Sequence, residues 1–130
     1  MGREDHGFTM QIRKQFRFEA AHVLPYHLGK CANVHGHSYR LDVTIAGPLQ
    51  IDGPARGMVE DFERIGDVVE REIIAQLDHR SLNDLMENPT CEAIVAWVWE
   101  RLRPVLPGLT ELVLWETPTS CAILHASDVP

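Results

Sequence analysis

The sequence predicts an α+β domain built on a four-stranded antiparallel sheet, with its elements in the order β-β-α-α-β-β. Two segments near the N-terminus alternate apolar and polar residues, which is typical of half-buried strands. Two later segments carry apolar residues at helical spacing, and two short apolar segments close the chain. Strand pairs on either side of a helical pair favour a sheet that has two helices on one face.

Length and composition limit the class of protein. The chain has 130 residues, enough for one domain, which we place at residues 9–130 behind a flexible polar leader at residues 1–8. The net charge of −7 and the lack of a basic stripe argue against binding to nucleic acid or to anionic membranes. Three irregularly spaced cysteines fit a reducing compartment, so the sequence predicts a cytoplasmic protein.

The two N-terminal strands are predicted from alternation with a period of two. Over residues 10–22 the apolar side chains share one parity and the charged side chains share the other, with Lys14 as the exception on the apolar face. The second alternation runs from residue 35 to about residue 45, where a Gly-Pro pair ends it.

Both helices are predicted to begin at a capping residue. Asp61 can cap the first, which keeps helical spacing to about Gln76. Thr90 can cap the second, where Glu92 adds a favourable negative charge in the first turn. The apolar stripe of this second helix continues to Val105, shortly before a Pro-Gly pair.

The C-terminal third of the chain predicts the closing strands. A polar loop, LDHRSLNDLMENP, precedes the second helix, and residues 111–116 and 121–126 form two short apolar segments joined by TPTS. Glu116 shares the parity of Leu112 and Leu114, so we expect it to face inward at the end of its strand. The alternative is a solvated carboxylate at a strand end.

Three histidines share the apolar face of the N-terminal strands: His22, His35 and His37. If the strands pair antiparallel, the end of the first lies beside the start of the second, and the three imidazoles meet at one end of the sheet. Three neutral nitrogen ligands suit Zn2+ and leave a fourth position open. The alternative is a set of hydrogen-bonded core histidines, and a β-bulge in either strand would break the argument.

The role of Cys31 stays open from the residues alone. The stretch CANVHGHSY, residues 31–39, places this cysteine four positions before His35. It could be a fourth ligand that closes a structural site, or a plain buried cysteine. It could also be a free thiol beside an open, catalytic metal site.

Six short motifs together resemble a known family. They are FRFEAAH at 16–22, CANVHGH at 31–37, DF at 61–62, LDHRSLND at 77–84, NPTCE at 88–92 and WETPT at 115–119. Each motif is weak alone, but their order and spacing resemble the 6-pyruvoyl-tetrahydropterin synthase family. The closest resemblance is to its bacterial 6-carboxy-5,6,7,8-tetrahydropterin synthase branch.

The resemblance implies the fold, the assembly and a set of site residues. The fold would be the tunnelling fold (T-fold), and the assembly a homohexamer of two trimers with active sites at subunit boundaries. The three histidines would hold a catalytic zinc, and Cys31 would be the proton acceptor. Asp78 and His79, from a neighbouring subunit, would form the relay that activates the thiol. Glu116 would anchor the pterin ring.

The resemblance also implies a substrate and a reaction. The substrate would be 7,8-dihydroneopterin triphosphate, converted to 6-carboxy-5,6,7,8-tetrahydropterin with release of acetaldehyde and triphosphate, on the route to queuosine. Thr90 and Glu92 would lie beside the pterin; the alternative is simple helix capping, which we expect of both residues even if they also contact the ligand. Cys91 departs from the serine or threonine usual in the family. Lys30 is a candidate for binding the triphosphate.

Other functions stay open at this point. The runner-up is a synthase that forms the 6-pyruvoyl product and keeps the carbon skeleton. Some relatives carry glutamate in place of the cysteine and follow an aldolase-like reaction, which Cys31 argues against. From a different class, the protein could be a non-catalytic zinc-binding assembly protein, which would have no need of the intact set Cys31, Asp78, His79 and Glu116.

Overall fold

The computed structural model describes residues 7–130, so most of the leader predicted at residues 1–8 lies outside the described residues. The chain forms one five-stranded sheet. Its strands are β1 (Thr9–His22), β2 (His35–Pro48), β3 (Arg80–Ser81), β4 (Leu109–Thr117) and β5 (Ser120–His125). Their order across the sheet is β3-β1-β2-β4-β5.

The prediction of four antiparallel strands is one strand short. β1, β2, β4 and β5 are antiparallel neighbours, as expected, but β3 pairs in parallel with the end of β1. This added strand has two residues and lies inside the segment predicted as a loop. Two residues are too few to show an alternation, so periodicity could not reveal it.

Each helix begins where the capping residue predicts. The side chain of Asp61 accepts a hydrogen bond from the Glu63 amide at 2.8 Å, and the hydroxyl of Thr90 accepts one from the Ala93 amide at 3.1 Å. The first helix, α1 (Phe62–Val69), continues through a π-helical turn (Glu70–Ile74) and a last helical turn (Ala75–Leu77).

The second helix, α2 (Cys91–Leu102), is shorter than predicted. The apolar stripe suggested helix as far as Val105, but that residue lies beyond the last turn. Pro104 has no amide proton to donate and its ring clashes with the carbonyl four residues earlier, which accounts for the early end.

Both helices cover the same face of the sheet. Their buried side chains join those of β1, β2 and β4 in one apolar cluster, in which Leu41 and Val43 of β2 are fully buried. Lys14, the exception on the apolar face, packs against α1 at Gly66, where no side chain intervenes. A methyl group added at Gly66 would lie 3.3 Å from Cε of the lysine. The aliphatic stem of the lysine is therefore packed while its ammonium group stays near solvent.

The opposite face of the sheet carries polar side chains, and no helix of residues 7–130 covers it. Arg13 of β1, for example, donates to the Thr44 hydroxyl at 3.0 Å and to the Glu111 carboxylate at 2.8 Å across three strands. Within residues 7–130, no helix is long and apolar enough to cross a membrane.

Candidate metal centre and active site

The register of β1 and β2 brings the three histidines together. The two strands pair without interruption from Thr9 opposite Pro48 to His22 opposite His35, so no bulge disturbs the parity on which the prediction depended. His37 lies two residues further along β2. The ligand atoms of the three imidazoles all lie within 4.8 Å of one another.

Backbone carbonyls determine which nitrogen of His22 and His35 carries the proton. Nδ1 of His22 lies 2.8 Å from the Pro89 carbonyl oxygen, and Nδ1 of His35 lies 2.8 Å from the Asn33 carbonyl oxygen. A carbonyl only accepts, so both Nδ1 atoms must donate, and in neutral rings both Nε2 atoms then present lone pairs. These two Nε2 atoms are 2.9 Å apart. Two acceptors at that distance repel each other unless a cation lies between them.

His37 and Glu116 add further acceptors to the same point. Nε2 of His37 is buried and has no hydrogen-bond partner, and burial is the main cause that lowers the pKa of this ring. The Glu116 carboxylate lies 3.4 Å from Nε2 of His22 and 3.6 Å from Nε2 of His37. The Nε2 lone pairs of His22 and His35, beside an unpartnered Nε2 of His37 and a carboxylate, fit a bound metal ion. The carbonyl contacts orient the rings of His22 and His35 as metal ligands require.

Glu116 faces inward, as its parity predicted. It lies at an irregularity in the pairing of β4 with β5, between Trp115 and Thr117. Bulges of this kind re-aim a side chain next to a functional site. Here the carboxylate points back towards the histidines and lines a cleft of about 340 Å3 together with Glu92, Cys91 and Cys121.

The residues at the start of α2 border that cleft. The hydroxyl of Thr90 is engaged in helix capping, whereas the side chain of Glu92 is exposed. The Cys91 thiol donates to the Leu114 carbonyl at 3.3 Å. Burial, assisted by the Glu116 carboxylate, raises the pKa of Cys91 to about 12, so this thiol stays protonated at neutral pH.

Cys31 lies outside the histidine cluster. It is partly buried in a 3-10 turn (Lys30–Ala32), and its carbonyl accepts a hydrogen bond from the Leu24 amide at 3.0 Å. Among residues 7–130, the group with metal-ligand spacing contains three histidines and no cysteine. The geometry therefore favours an open metal site with a separate thiol over a closed four-ligand site.

Asp78 and His79 lie at the end of the first helical segment. Asp78 accepts a hydrogen bond from the Glu19 amide at 2.8 Å, and its other oxygen is 3.6 Å from Nε2 of His79. His79 has a φ of 58°, the one positive φ outside glycine among the described residues, and its side chain is 78% exposed. Such backbone strain is frequent at functional sites. Within one chain, the three described residues Cys31, Asp78 and His79 form no common cluster.

Sequence reasoning missed the groups that orient the histidines. These are the carbonyls of Pro89 and Asn33, and backbone atoms leave no mark in residue type. The sequence did contain a partial indication of these groups. A metal-ligating histidine needs a hydrogen-bond acceptor for its second nitrogen, and Pro89 and Asn33 both belong to motifs that carry the family resemblance.

Comparison with known proteins places the chain in a family. A family model described as 6-pyruvoyl tetrahydropterin synthase matches residues 11–127. A 6-carboxy-5,6,7,8-tetrahydropterin synthase from Synechocystis sp. is 44% identical over 115 residues, which cover 85% of this chain and 89% of that protein. A dihydroneopterin monophosphate aldolase from Pyrococcus furiosus is 39% identical over 102 residues, which cover 76% of this chain and 82% of that protein.

A solved structure shares the fold. The 6-pyruvoyl tetrahydropterin synthase of Caenorhabditis elegans superposes with a TM-score of 0.80 at 24% identity, over 91% of this chain and 96% of that one. This likeness confirms the α+β tunnelling fold that the resemblance implied, with β3 as the added strand. Because the family model spans most of the sequence and the cyanobacterial relative matches along nearly its whole length, the chain belongs to the 6-pyruvoyl tetrahydropterin synthase family.

Proposed function

We propose that the protein is a zinc-dependent lyase that converts 7,8-dihydroneopterin triphosphate to 6-carboxy-5,6,7,8-tetrahydropterin, releasing acetaldehyde and triphosphate. The observation that carries the proposal is the meeting of three metal-type imidazoles with the Glu116 carboxylate at the edge of a cleft. The Synechocystis relative, which bears the name of that activity, supports the choice of reaction.

Zinc is the metal that suits this donor set. His22, His35 and His37 would hold it through Nε2, and three neutral nitrogens leave one position free, as in catalytic zinc sites. When bound there, zinc would act as a Lewis acid on the hydroxyl oxygens of the substrate side chain. The carbonyls behind His22 and His35 keep both rings in the required tautomer.

Glu116 orients the pterin ring. A carboxylate accepts two parallel hydrogen bonds from the guanidine-like edge of a pterin, which is a specific match. The cleft of about 340 Å3 beside Glu116 offers space for the ring. Glu92 lies at the border of this cleft, and Thr90 is two residues before Glu92 in the sequence. The hydroxyl of Thr90 is already engaged as a cap, so any role in binding is indirect.

Cys31 is the proposed base that removes a proton from the substrate side chain. An ordinary thiol is mostly protonated at neutral pH, so it needs a partner that accepts its proton. His79, oriented by Asp78, is the proposed partner. Since the three residues form no common cluster within the described part of one chain, we place Asp78 and His79 of a neighbouring subunit at the site.

This arrangement requires an assembly. We propose a homohexamer of two trimers, in which the sheet edges at β3 and β5 are joined to neighbouring sheets. Three free cysteines fit a cytoplasmic enzyme, and a role in queuosine biosynthesis would follow from the product.

The product identifies the reaction. Purified protein is incubated with 7,8-dihydroneopterin triphosphate, and products are identified by mass spectrometry together with an assay for acetaldehyde. We expect 6-carboxy-5,6,7,8-tetrahydropterin and acetaldehyde in equal amounts. A 6-pyruvoyl product without acetaldehyde would move the protein to the runner-up activity. Turnover of dihydroneopterin monophosphate in preference to the triphosphate would point to the aldolase activity named in the Pyrococcus relative.

A matched variant tests the role of Glu116. Glu116→Gln keeps the shape of the side chain but replaces one acceptor oxygen by a donor, so the paired hydrogen bonds to the pterin cannot both form. We expect substrate affinity to fall by about ten- to a hundredfold, because hydrogen bonds to charged groups contribute about 1.5–3 kcal/mol. Zinc content should be unchanged, and unchanged substrate affinity would contradict the assignment.

A further inference from the structure

Two arginines lie directly opposite each other on the sheet face that carries no helix. Arg17 of β1 and Arg40 of β2 are register partners. Like charges in directly opposite positions destabilise an antiparallel pair of strands. Two adjacent cations are also unexpected in a chain with an excess of acidic residues. Arg17 is exposed and, within residues 7–130, has no ion pair or hydrogen bond that would offset the repulsion. An anion bound by both guanidinium groups would remove the cost.

Arg40 is held in place and still has donors to offer. Its guanidinium lies over the Trp115 ring, 4.8 Å from the ring centroid. Its Nη2 donates to the Asp42 carboxylate at 3.4 Å and its Nε is 3.4 Å from the other oxygen of that carboxylate, so the ion pair fixes one side of the guanidinium. A guanidinium that is stacked and positioned in this way loses little conformational freedom when it binds a phosphate.

The arginine pair shares a cleft with His37 and Glu116, near the end of the sheet where the histidines meet. A cleft of about 540 Å3 is lined by both arginines, by His37 and by Glu116. Arg40 is three residues beyond His37 on β2, about 10 Å along an extended strand. Glu116 also borders the smaller cleft assigned to the pterin, so the two clefts have this residue in common.

We propose that Arg17 and Arg40 bind the triphosphate group of the substrate. The inference rests on the proposed function and extends it to the phosphate end of the molecule. Guanidinium groups donate two parallel hydrogen bonds to phosphate oxygens, and two such groups side by side match a chain of linked phosphates. The pair therefore selects a substrate that carries several phosphates.

Two other cations near the site fit this role less well. Lys30 lies next to Cys31 in sequence but lines none of the described clefts beside His37 or Glu116. Arg80 lines a neighbouring cleft of about 550 Å3 that also borders His37 but contains neither arginine of the pair. Each is a single cation, whereas Arg17 and Arg40 act as a pair.

The direct test uses inorganic triphosphate and isothermal titration calorimetry on the zinc-loaded protein. We expect wild-type protein to bind triphosphate, and Arg17→Gln or Arg40→Gln to weaken binding by about tenfold or more, as for a lost charge-assisted hydrogen bond. Arg71→Gln, an equal change of charge at an exposed helical site, should have no effect. Raising the ionic strength should weaken binding to the wild type.

Three outcomes overturn the proposal. The first is the absence of triphosphate binding to wild-type protein at millimolar concentration. The second is full affinity in both arginine variants. The third is a loss of affinity in Lys30→Gln or Arg80→Gln that equals or exceeds the loss in the Arg17 and Arg40 variants. The phosphates would then bind at a different part of the surface.

A second measurement separates this inference from the proposed function. Binding of 7,8-dihydroneopterin, which has no phosphate, should be equal in wild type, Arg17→Gln and Arg40→Gln. If the wild type binds triphosphate through these arginines but does not turn over dihydroneopterin triphosphate, the anion site is supported and the proposed reaction is wrong. If turnover occurs and both variants keep the wild-type KM, the reaction is supported and the assignment of the anion site is wrong.

Discussion

Replacing Cys31 by alanine should abolish most of the activity and leave both the fold and the metal in place. The side chain lies in a 3-10 turn, outside the group of imidazoles with metal-ligand spacing. The backbone bond that anchors the turn runs from the Leu24 amide to the Cys31 carbonyl, which the substitution keeps. The Asn33 carbonyl that orients His35 is likewise a backbone atom.

The expected effects of Cys31→Ala on stability and on reaction rate differ greatly in size. A substitution at a partly exposed site without a special contact changes the free energy of unfolding by about 0.5 kcal/mol or less. A positioned general base contributes about 10²–10⁴-fold to the rate, which corresponds to about 3–5 kcal/mol of activation free energy. A fourth zinc ligand would behave differently, because its loss removes metal, stability and activity together.

The assay measures three quantities on one preparation of Cys31→Ala. Zinc per chain is measured by elemental analysis, the urea midpoint by fluorescence, and kcat with dihydroneopterin triphosphate. We expect zinc content and the urea midpoint to match the wild type, with kcat reduced by at least a hundredfold. If zinc content falls in parallel with kcat, Cys31 is a ligand and the proposed mechanism is wrong.

Three further predictions concern the metal, a buried thiol and a helix. His35→Ala should remove most of the zinc by elemental analysis, whereas the exposed His125→Ala should keep it, and full occupancy in the first variant would place the metal elsewhere. Because burial raises the pKa of Cys91 to about 12, alkylation at pH 8 should spare this thiol, and mass spectrometry of peptides would reveal any fast modification. Gly66→Ala should stabilise the protein by about 0.5 kcal/mol in urea unfolding, because alanine favours helix and the flexible Lys14 can move aside; a lower urea midpoint would contradict this.

The histidine cluster could be predicted from sequence because it follows from strand periodicity. Two alternating segments place His22, His35 and His37 on one face, and antiparallel pairing brings their ends together. The helix starts at Asp61 and Thr90 were equally accessible, since capping depends on one side chain and the amide two or three residues later. In each case the physical cause is local.

The features that sequence reasoning missed depend on tertiary contacts. β3 forms where Arg80 and Ser81, after the helical turn that ends at Leu77, pair with Ala20 and Ala21 at the end of β1. The positive φ of His79 occurs in a turn that hydrogen-bonds both backbone groups of Glu19, through the His79 amide and the Asp78 carboxylate. No pattern of residue types within the loop carries this information.

The uninterrupted register of β1 and β2 links the candidate metal site to the arginine pair. Because side chains alternate between the two faces, the pairing that places His22 opposite His35 on the helix side also places Arg17 opposite Arg40 on the open side. A slip of one residue in β2 would send His37 to the open face and Arg40 into the apolar core, and both sites would be lost. The buried side chains Tyr39, Leu41 and Val43 oppose such a slip, since it would expose all three of them to solvent. The same apolar side chains therefore hold the core together and keep the two functional faces of the sheet in register.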